Sequence, residues 1–355
     1  MVSCSYFKLE RVSLRKKVVR QIVIQHPSTR SQMEQRIDFL ERLESDMALN
    51  ILMRLDDPAD IVRASAVSRS WHHFVMANGL LKQLCLTMFP QLSNNIRIIA
   101  PNSWRMNNVN IERSNAIEME VLEKEHQVYA SLFQALFRSE VSPRDCIADA
   151  VSASSTDRDP DESIVNTLSP WSRSQWGIAS YWSSKGHSNP DVPETLTYRL
   201  KAGISIVTEI DIQPFEVYWE RDRPICSAQS VRFRMGYARS QCLLLCKPDD
   251  NFVWTYTSPT FPMKQENRLQ RFKLPKPVLC IGGYLQVELL GSVQRAEIDG
   301  LFYICICHVR VLGLPLEPAF NIQMFEPSGK FMLQYNPNSL HSTLEHSCNG
   351  ENSYM

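Results

Sequence analysis

No apolar run in these 355 residues approaches the roughly 20 that a membrane-crossing helix needs, so no helical span is expected. Charges interrupt every early apolar stretch, and a secretory signal is not expected either. Neither sign of charge is in excess. Lys+Arg and Asp+Glu number 38 each, a balance that gives no general attraction to nucleic acid or to an anionic membrane. A phosphate-cradling loop is missing too, because Gly282-Gly283 follows an apolar strand without the required lysine or spacing. No catalytic constellation stands out. His126 falls on a polar helix face, and His187 and His341 stand in loops. Cys307 and His308 are adjacent on a strand and so point to opposite faces, which leaves the thiol without a base. Glu216 and Glu220 read as solvated acids rather than a paired site.

The ten cysteines are spread along the chain rather than concentrated as in a small disulfide scaffold. Cys242 and Cys246 flank three leucines, and Cys305-Ile306-Cys307-His308 lies among β-branched residues. Both read as buried reduced thiols, since neither has the spacing of a zinc ribbon. No metal and no cofactor are expected. Cytoplasm or nucleus is the expected compartment. The charge is uneven, however: from Arg11 to Met33 the chain carries Arg11, Arg15, Lys16, Lys17, Arg20 and Arg30 and no acid. Residues 1–36 read as a disordered basic extension, with a transit peptide, a localisation tract or sequence upstream of a start at Met33 as open alternatives.

Residues 39–74 carry the strongest pattern. Ser45 and Asp46 offer caps for a helix bearing Leu49, Ile51, Leu52 and Leu55. Asp57 with Pro58 is a second helix start, because proline at the first helical position gives up no needed donor. Ile61, Val62 and Val67 recur at near-helical spacing, and Trp71, Phe74 and Val75 share the face of a third segment. A unit of about 40 residues cannot close a core around so many apolar side chains alone. They must dock on a partner or on the rest of the chain.

In order, Leu43, an acidic capped turn, Ile51-Leu52, Leu55, Asp57-Pro58, Asp60-Ile61-Val62 and Val67-Ser68-Arg69-Ser70-Trp71 resemble the F-box. That motif joins substrate receptors to the adaptor subunit of SCF-type ubiquitin ligases. The family usually has proline after the first leucine, whereas Glu44 follows Leu43 here. The resemblance implies that Leu43, Leu52, Leu55, Pro58, Ile61, Val62, Val67 and Trp71 bind the adaptor, which in turn joins a cullin. The plainer reading is a helical bundle with Trp71 in its core.

Leu80 to Met88 continues as helix with Leu84 and Cys85 inward. A long connecting helix then starts at Ser114, with Ile117, Val121, Val128, Leu132 and Leu136 on one face and Phe133 and Phe137 beside it. From Cys146 the pattern becomes extended, and the acidic, Ser-rich stretch from Asp157 to Ser163 reads as a loop. Strands are predicted at 195–200, 205–212, 230–235, 252–257, 269–274, 284–290 and 301–312, where apolar and polar residues alternate. So many half-buried strands argue an antiparallel β-sandwich.

The order Tyr181-Trp182-Ser183-Ser184-Lys185-Gly186, Glu194 to Tyr198, Glu209 to Ile212, Tyr284 to Gly291 and Cys307 to Gly313 resembles a discoidin-type, galactose-binding-like jelly roll. With the F-box, the whole resembles a plant F-box family of substrate receptors. The expected fold is multidomain α + β: an N-terminal helical F-box and connecting helix, followed by an antiparallel β-sandwich (jelly roll). The expected boundaries are 37–90 for the F-box, 91–144 for the linker with its long helix, 145–313 for the sandwich and 314–355 for a C-terminal tail.

Ligands of such sandwiches meet loops at one end. Trp171, Trp176, Tyr181, Lys185, Trp219 and Arg221 are therefore the candidate target-binding residues, with Trp182, Tyr218 and Glu220 beside them. Trp171, Trp176 and Trp219 read equally as core or contact, and Trp182 reads as core. The function expected is a non-catalytic substrate-recognition subunit of an SCF-type E3 ubiquitin ligase, recruiting an unknown target protein. The alternatives are a lectin-like module reading glycosylated proteins and a structural protein attached to no ligase. No nucleic acid or membrane partner is expected.

Overall fold

The computed structural model describes residues 38–55, 57–92, 96–99, 114–169, 180–239, 251–325 and 330–336. Backbone contacts divide the chain into two units, residues 1–48 and 49–355. In the first, α1 spans Phe39–Arg42, and the next helix, α2 (Ser45–Leu52), begins. Its first amides, those of Met47 and Ala48, donate to the Glu44 carbonyl. Ser45 and Asp46 thus lie inside the first turn instead of capping it, where the Asp46 charge still suits the helix dipole.

The second unit carries the remaining helices and all the described strands. The helix α3 (Pro58–Ser65) starts as expected, with the Asp57 carboxylate accepting from the Ala59 amide at 3.0 Å. α4 (Arg69–Ala77) is capped by Ser68, whose hydroxyl accepts from the Trp71 amide at 3.3 Å. α5 (Leu80–Met88) and the long α6 (Ser114–Val141) complete the helices, with β1 (Ile96–Ile99) lying between them in sequence. The strands of the sandwich are β2 (Arg144–Asp145), β3 (Ile147–Ala153), β4 (Trp182–Ser183), β5 (Glu194–Leu200), β6 (Ile204–Glu216), β7 (Ile225–Cys226), β8 (Ala228–Ala238), β9 (Phe252–Thr257), β10 (Phe261–Pro262), β11 (Gln270–Ile281), β12 (Tyr284–Ser292) and β13 (Cys305–Pro315).

They form two antiparallel sheets. One runs β10-β8-β12-β5-β3 with β9 on β8, and the other runs β11-β6-β13-β2 with β4 on β13 and β7 on β6. Gly282 and Gly283, at φ 98° and 73°, make the turn that carries the chain from β11 in one sheet to β12 in the other. The two-residue period explains the filling. Leu285, Val287 and Leu289 of β12 and Val231, Phe233 and Met235 of β8 enter one core with Ile210, Ile212, Val309 and Val311 of the facing sheet. The alternate positions form a charge ladder on the outside, where Glu288 pairs with both Arg232 and Arg234.

A bulge at Thr208 redirects β6. Its register passes from Glu209 to Val207 against Lys273 and Val278 on one side and Leu312 and Gly313 on the other. A Cβ at Gly313 would lie 2.0 Å from the Ile206 carbonyl oxygen, so only glycine fits this approach. Before the bulge, Ile204 and Ile206 turn outward into a second core. They join Leu279 and Ile281 of β11, Leu81 and Cys85 of α5, and Val128, Leu132, Phe133 and Leu136 of α6. One apolar core therefore ties the helices to the sheet.

Beyond the bulge, the outward residue Asp211 is fully buried, and Arg310 grips its Oδ2 through Nη2 at 2.6 Å and Nε at 3.0 Å. Arg310→Met should cost roughly 3 kcal/mol in urea unfolding, because it strands a buried carboxylate. An unchanged midpoint would show that water replaces the guanidinium there.

Two expectations need correction. Residues 314–355 are not simply a tail: β14 (Phe320–Phe325) and β15 (Lys330–Tyr335) form an antiparallel hairpin, and β15 pairs in parallel with β1. Phe320, Phe331, Leu333 and Tyr335 enter the second core, which supplied the apolar cover the sequence pattern did not reveal. On α6, Val121 and Phe137 are exposed although both were expected at the packed stripe. Val121 comes two turns before the buried run from Val128, and Phe137 is turned about 100° from Leu136, off the face that Leu132, Leu136 and Ser139 bury.

Candidate functional site

Two surfaces stand out. The first lies on the helices. Leu52 and Ile61, expected to meet an adaptor, are instead 3% and 1% exposed within the second core, where they hold α2 and α3 against the rest of the unit. Leu55 and Trp71 are partly buried against the same core, and Pro58 is half-buried. Val62 and Val67 are exposed, as are Ile51 and Met53, which were absent from the expected set. Leu43 is half-buried in the first unit. Four uncovered apolar side chains within 51–67 contrast with the charged exposed surface around them, such as the Arg63–Asp60 pair at 2.5 Å. The 3.6-residue period could have separated Ile51 from Leu52, because adjacent helix positions are about 100° apart.

The second is a cleft of about 1000 Å³ in the sandwich. Four loops build it: residues 157–166, the approach to β4 at Ser180-Tyr181, the turn after β6 at Val217–Glu220, and the segment 296–303 before β13. Tyr181 stacks on Phe215 with centroids 3.9 Å apart, and Trp219 lies 6.2 Å from Tyr181 with 55% of its surface exposed. The Tyr181 hydroxyl donates to Glu162 Oε1 at 2.7 Å, and Glu220 Oε1 accepts the Glu297 amide at 3.2 Å. Tyr303 donates to Asp299 Oδ2 at 2.6 Å, a bond that lowers the Asp299 pKa. Burial pushes the Glu162 carboxyl up. On the floor, the free thiol of Cys305 donates to Ser183 Oγ at 3.4 Å, and its hydrogen-bonding interaction with the free thiol of Cys226 lowers the Cys226 pKa and raises that of Cys305.

The loop carrying Asn166 is anchored from below. The Thr167 hydroxyl lies 2.8 Å from the Tyr198 hydroxyl, and the Thr167 carbonyl lies 2.8 Å from His308 Nδ1. Burial lowers the His308 pKa from 6.5. The unfolded chain therefore binds its proton first, and stability should be full above pH 6.5 and fall as pH drops through that value. His308→Gln should flatten part of this slope in thermal unfolding between about pH 7 and pH 5; an unaltered slope would assign it elsewhere.

Of the expected target-binding residues, the cleft brings together Tyr181, Trp219 and Glu220, while Tyr218 is exposed outside its lining. Lys185 and Arg221 are exposed but do not line it, and the Lys185 amide instead donates to Ser155 Oγ at 3.0 Å. Trp171 and Trp176 lie outside the described residues. Trp182 is core, as expected. The lining acids Asp157, Asp161, Glu162 and Asp299 were not singled out as contacts. The density of acids in 157–162 was the available signal. Among the described residues no group of three or more His, Cys, Asp or Glu side chains is arranged to hold a metal ion, and no helix is long and apolar enough to cross a membrane.

Comparison with solved structures finds likenesses of low score. A chitosan-binding module from a chitosanase/glucanase of Paenibacillus sp. IK-5 is 10% identical with a TM-score of 0.32, covering 47% of this chain and 98% of that one. Allantoicase of Saccharomyces cerevisiae is 13% identical with a TM-score of 0.36, covering 55% and 57%. The F-box-like family model matches residues 45–87, the segment of α2 to α5. F-box protein At4g00755 of Arabidopsis thaliana is 46% identical over 317 residues, covering 84% of this chain and 83% of its own. With that identity over most of both chains, and the family motif on the helices that carry the uncovered apolar residues, this chain belongs to the F-box protein family.

Proposed function

We propose that this chain is the substrate-recognition subunit of an SCF-type E3 ubiquitin ligase, docking through its helices and recruiting a target protein with its sandwich. The observation that carries the reading is the set of exposed apolar side chains Ile51, Met53, Val62 and Val67, gathered within the segment that matches the F-box-like family model. The family assignment supports an adaptor of the Skp1 kind as the occupant, with a cullin behind it. The half-buried Leu55, Pro58 and Trp71 would border that contact, and Leu52 and Ile61 would shape it from within. Leu43 belongs to the same proposed set.

The role is non-catalytic. Ubiquitin transfer belongs to other subunits, and this chain supplies proximity, the entropy of bringing a target lysine to the reacting thioester. Cytoplasm and nucleus are where such a ligase would work. The cleft with Tyr181 and Trp219 is the proposed target site.

Affinity purification under proteasome inhibition, with mass spectrometry of the captured proteins, tests the reading. Adaptor and cullin should appear with the wild-type chain; a preparation with neither would leave it a structural protein. A second reading, a lectin-like receptor of glycosylated proteins, draws on the exposed Trp219 at a cleft of sugar-ligand size. A glycan array probed with the full chain separates it from peptide recognition.

A further inference from the structure

The cleft has a sign. Asp157, Asp161, Glu162, Glu220 and Asp299 line it, and among the described lining residues Arg158 is the sole cation. Arg158 offsets them only in part: its side chain is 76% exposed, lies 3.9 Å from Asp157 and opposes the rise in the Glu162 pKa, one cation against five acids. Surface acids by themselves would mean only a solvated rim. Two of these are not surface acids. Glu162 is 9% exposed and Glu220 is 8% exposed. Each uses one oxygen internally, Glu162 Oε1 for the Tyr181 hydroxyl and Glu220 Oε1 for the Glu297 amide. The second oxygen of each, Oε2, receives no donor among the described residues, although both side chains line the cleft. Neither Oε2 is a buried orphan, so each opens to the cleft, where a largely buried carboxylate with one oxygen still available favours a cation or a strong donor.

A second, independent feature points the same way. Trp219, which lines the cleft, stays 55% exposed, although a tryptophan in contact with Phe215 and Tyr181 could have closed over them. Aromatic faces attract cations through the ring quadrupole, most strongly for tryptophan and where water is partly excluded. Aromatic faces beside half-satisfied carboxylates are complementary to an ammonium or guanidinium on an alkyl stem, whose methylenes pack on the rings while its head meets the acids.

We propose that the cleft binds a lysine or arginine side chain on an exposed segment of the target protein, with Glu162 and Glu220 receiving its charged head and Trp219 its stem. This assignment rests on the substrate-receptor reading of the chain. It disfavours acidic and phosphorylated segments and nucleic acid, which the five carboxylates would repel. It also disfavours a neutral sugar as the principal ligand, since a sugar gives no reason for the excess of acid.

Fluorescence polarisation on the full chain tests it with three labelled probes of equal length: a peptide of alternating lysine, arginine and glycine, its analogue with the basic residues replaced by glutamine, and one with glutamate in their place. The basic peptide should bind, more weakly as salt rises from about 50 to 300 mM, because screening shortens the reach of the charges. The glutamine and glutamate peptides should not bind. Glu162→Gln with Glu220→Gln keeps both internal acceptors and should weaken the basic peptide at least about tenfold. Trp219→Ala, an exposed position that leaves folding intact, should weaken it by a similar factor.

Equal affinity for the three probes, an unchanged affinity in both variants, or capture of glycans with no peptide binding would each overturn the proposal. Adaptor co-purification from the same preparations separates the two layers. Adaptor retained while the basic peptide fails to bind removes the cleft assignment and leaves the ligase reading. Adaptor lost while the basic peptide binds supports the cleft assignment and removes the ligase.

Discussion

Val62→Asp combined with Val67→Asp should abolish adaptor co-purification while leaving the melting temperature within about 2 °C of the wild type. Both positions are exposed, so neither charge enters the chain's own core. Both would be buried in the proposed complex. Placing an unpaired carboxylate at an apolar contact costs about 2 kcal/mol or more, and two would weaken binding by roughly a thousandfold. The control is Lys82→Gln, on the exposed surface of α5, which loses only a surface ion pair with Glu125. Full adaptor capture by the double variant, measured on chains with unaltered circular dichroism, would break the link between these side chains and the ligase.

Leu132→Asp should cost about 5 kcal/mol or more and unfold helices and sandwich in a single transition. Leu132 is fully buried on α6, in the core that also holds Leu81, Ile206, Ile281 and Leu333. An unpaired charge there is comparable to the whole stability of a domain, about 5–15 kcal/mol. Leu132→Ala, which only opens a cavity, should cost about 3 kcal/mol and preserve the single transition. Urea unfolding followed by both tryptophan fluorescence and far-ultraviolet circular dichroism reads the outcome. Two separated transitions would mean that the sandwich folds without the helices. The same core argues against testing the sandwich as a fragment from residue 145, because removing α5 and α6 would bare Ile204, Ile206, Leu279 and Ile281.

The strands were largely legible because half-buried sheets print a period of two. Leu285, Val287 and Leu289 point into the sandwich as their alternation with Gln286 and Glu288 predicts. The capping residues Asp57 and Ser68 were legible for a similarly local reason. The hairpin of β14 and β15 was not, because its stability comes from β1 and from the α6 face, both distant in sequence. On the helices, the motif pointed to Leu52 and Ile61 along with Val62 and Val67 without separating those that shape the unit from those it leaves bare. The cleft was half legible. Tyr181 and Trp219 stood out as aromatics beside charge, whereas the acids that join them arrive from loops over a hundred residues apart, at Glu162 and Asp299.

The Thr208 bulge sets what the molecule cannot do. By turning Ile204 and Ile206 toward Leu132, it replaces any flexible neck between the α3–α6 layer and the sheet with shared packing. On the ligase reading, a captured target would therefore be presented from one vantage. Which of its lysines receives ubiquitin would depend on the slack in the target's own chain, at most roughly 3.5 Å for each residue beyond the anchored one.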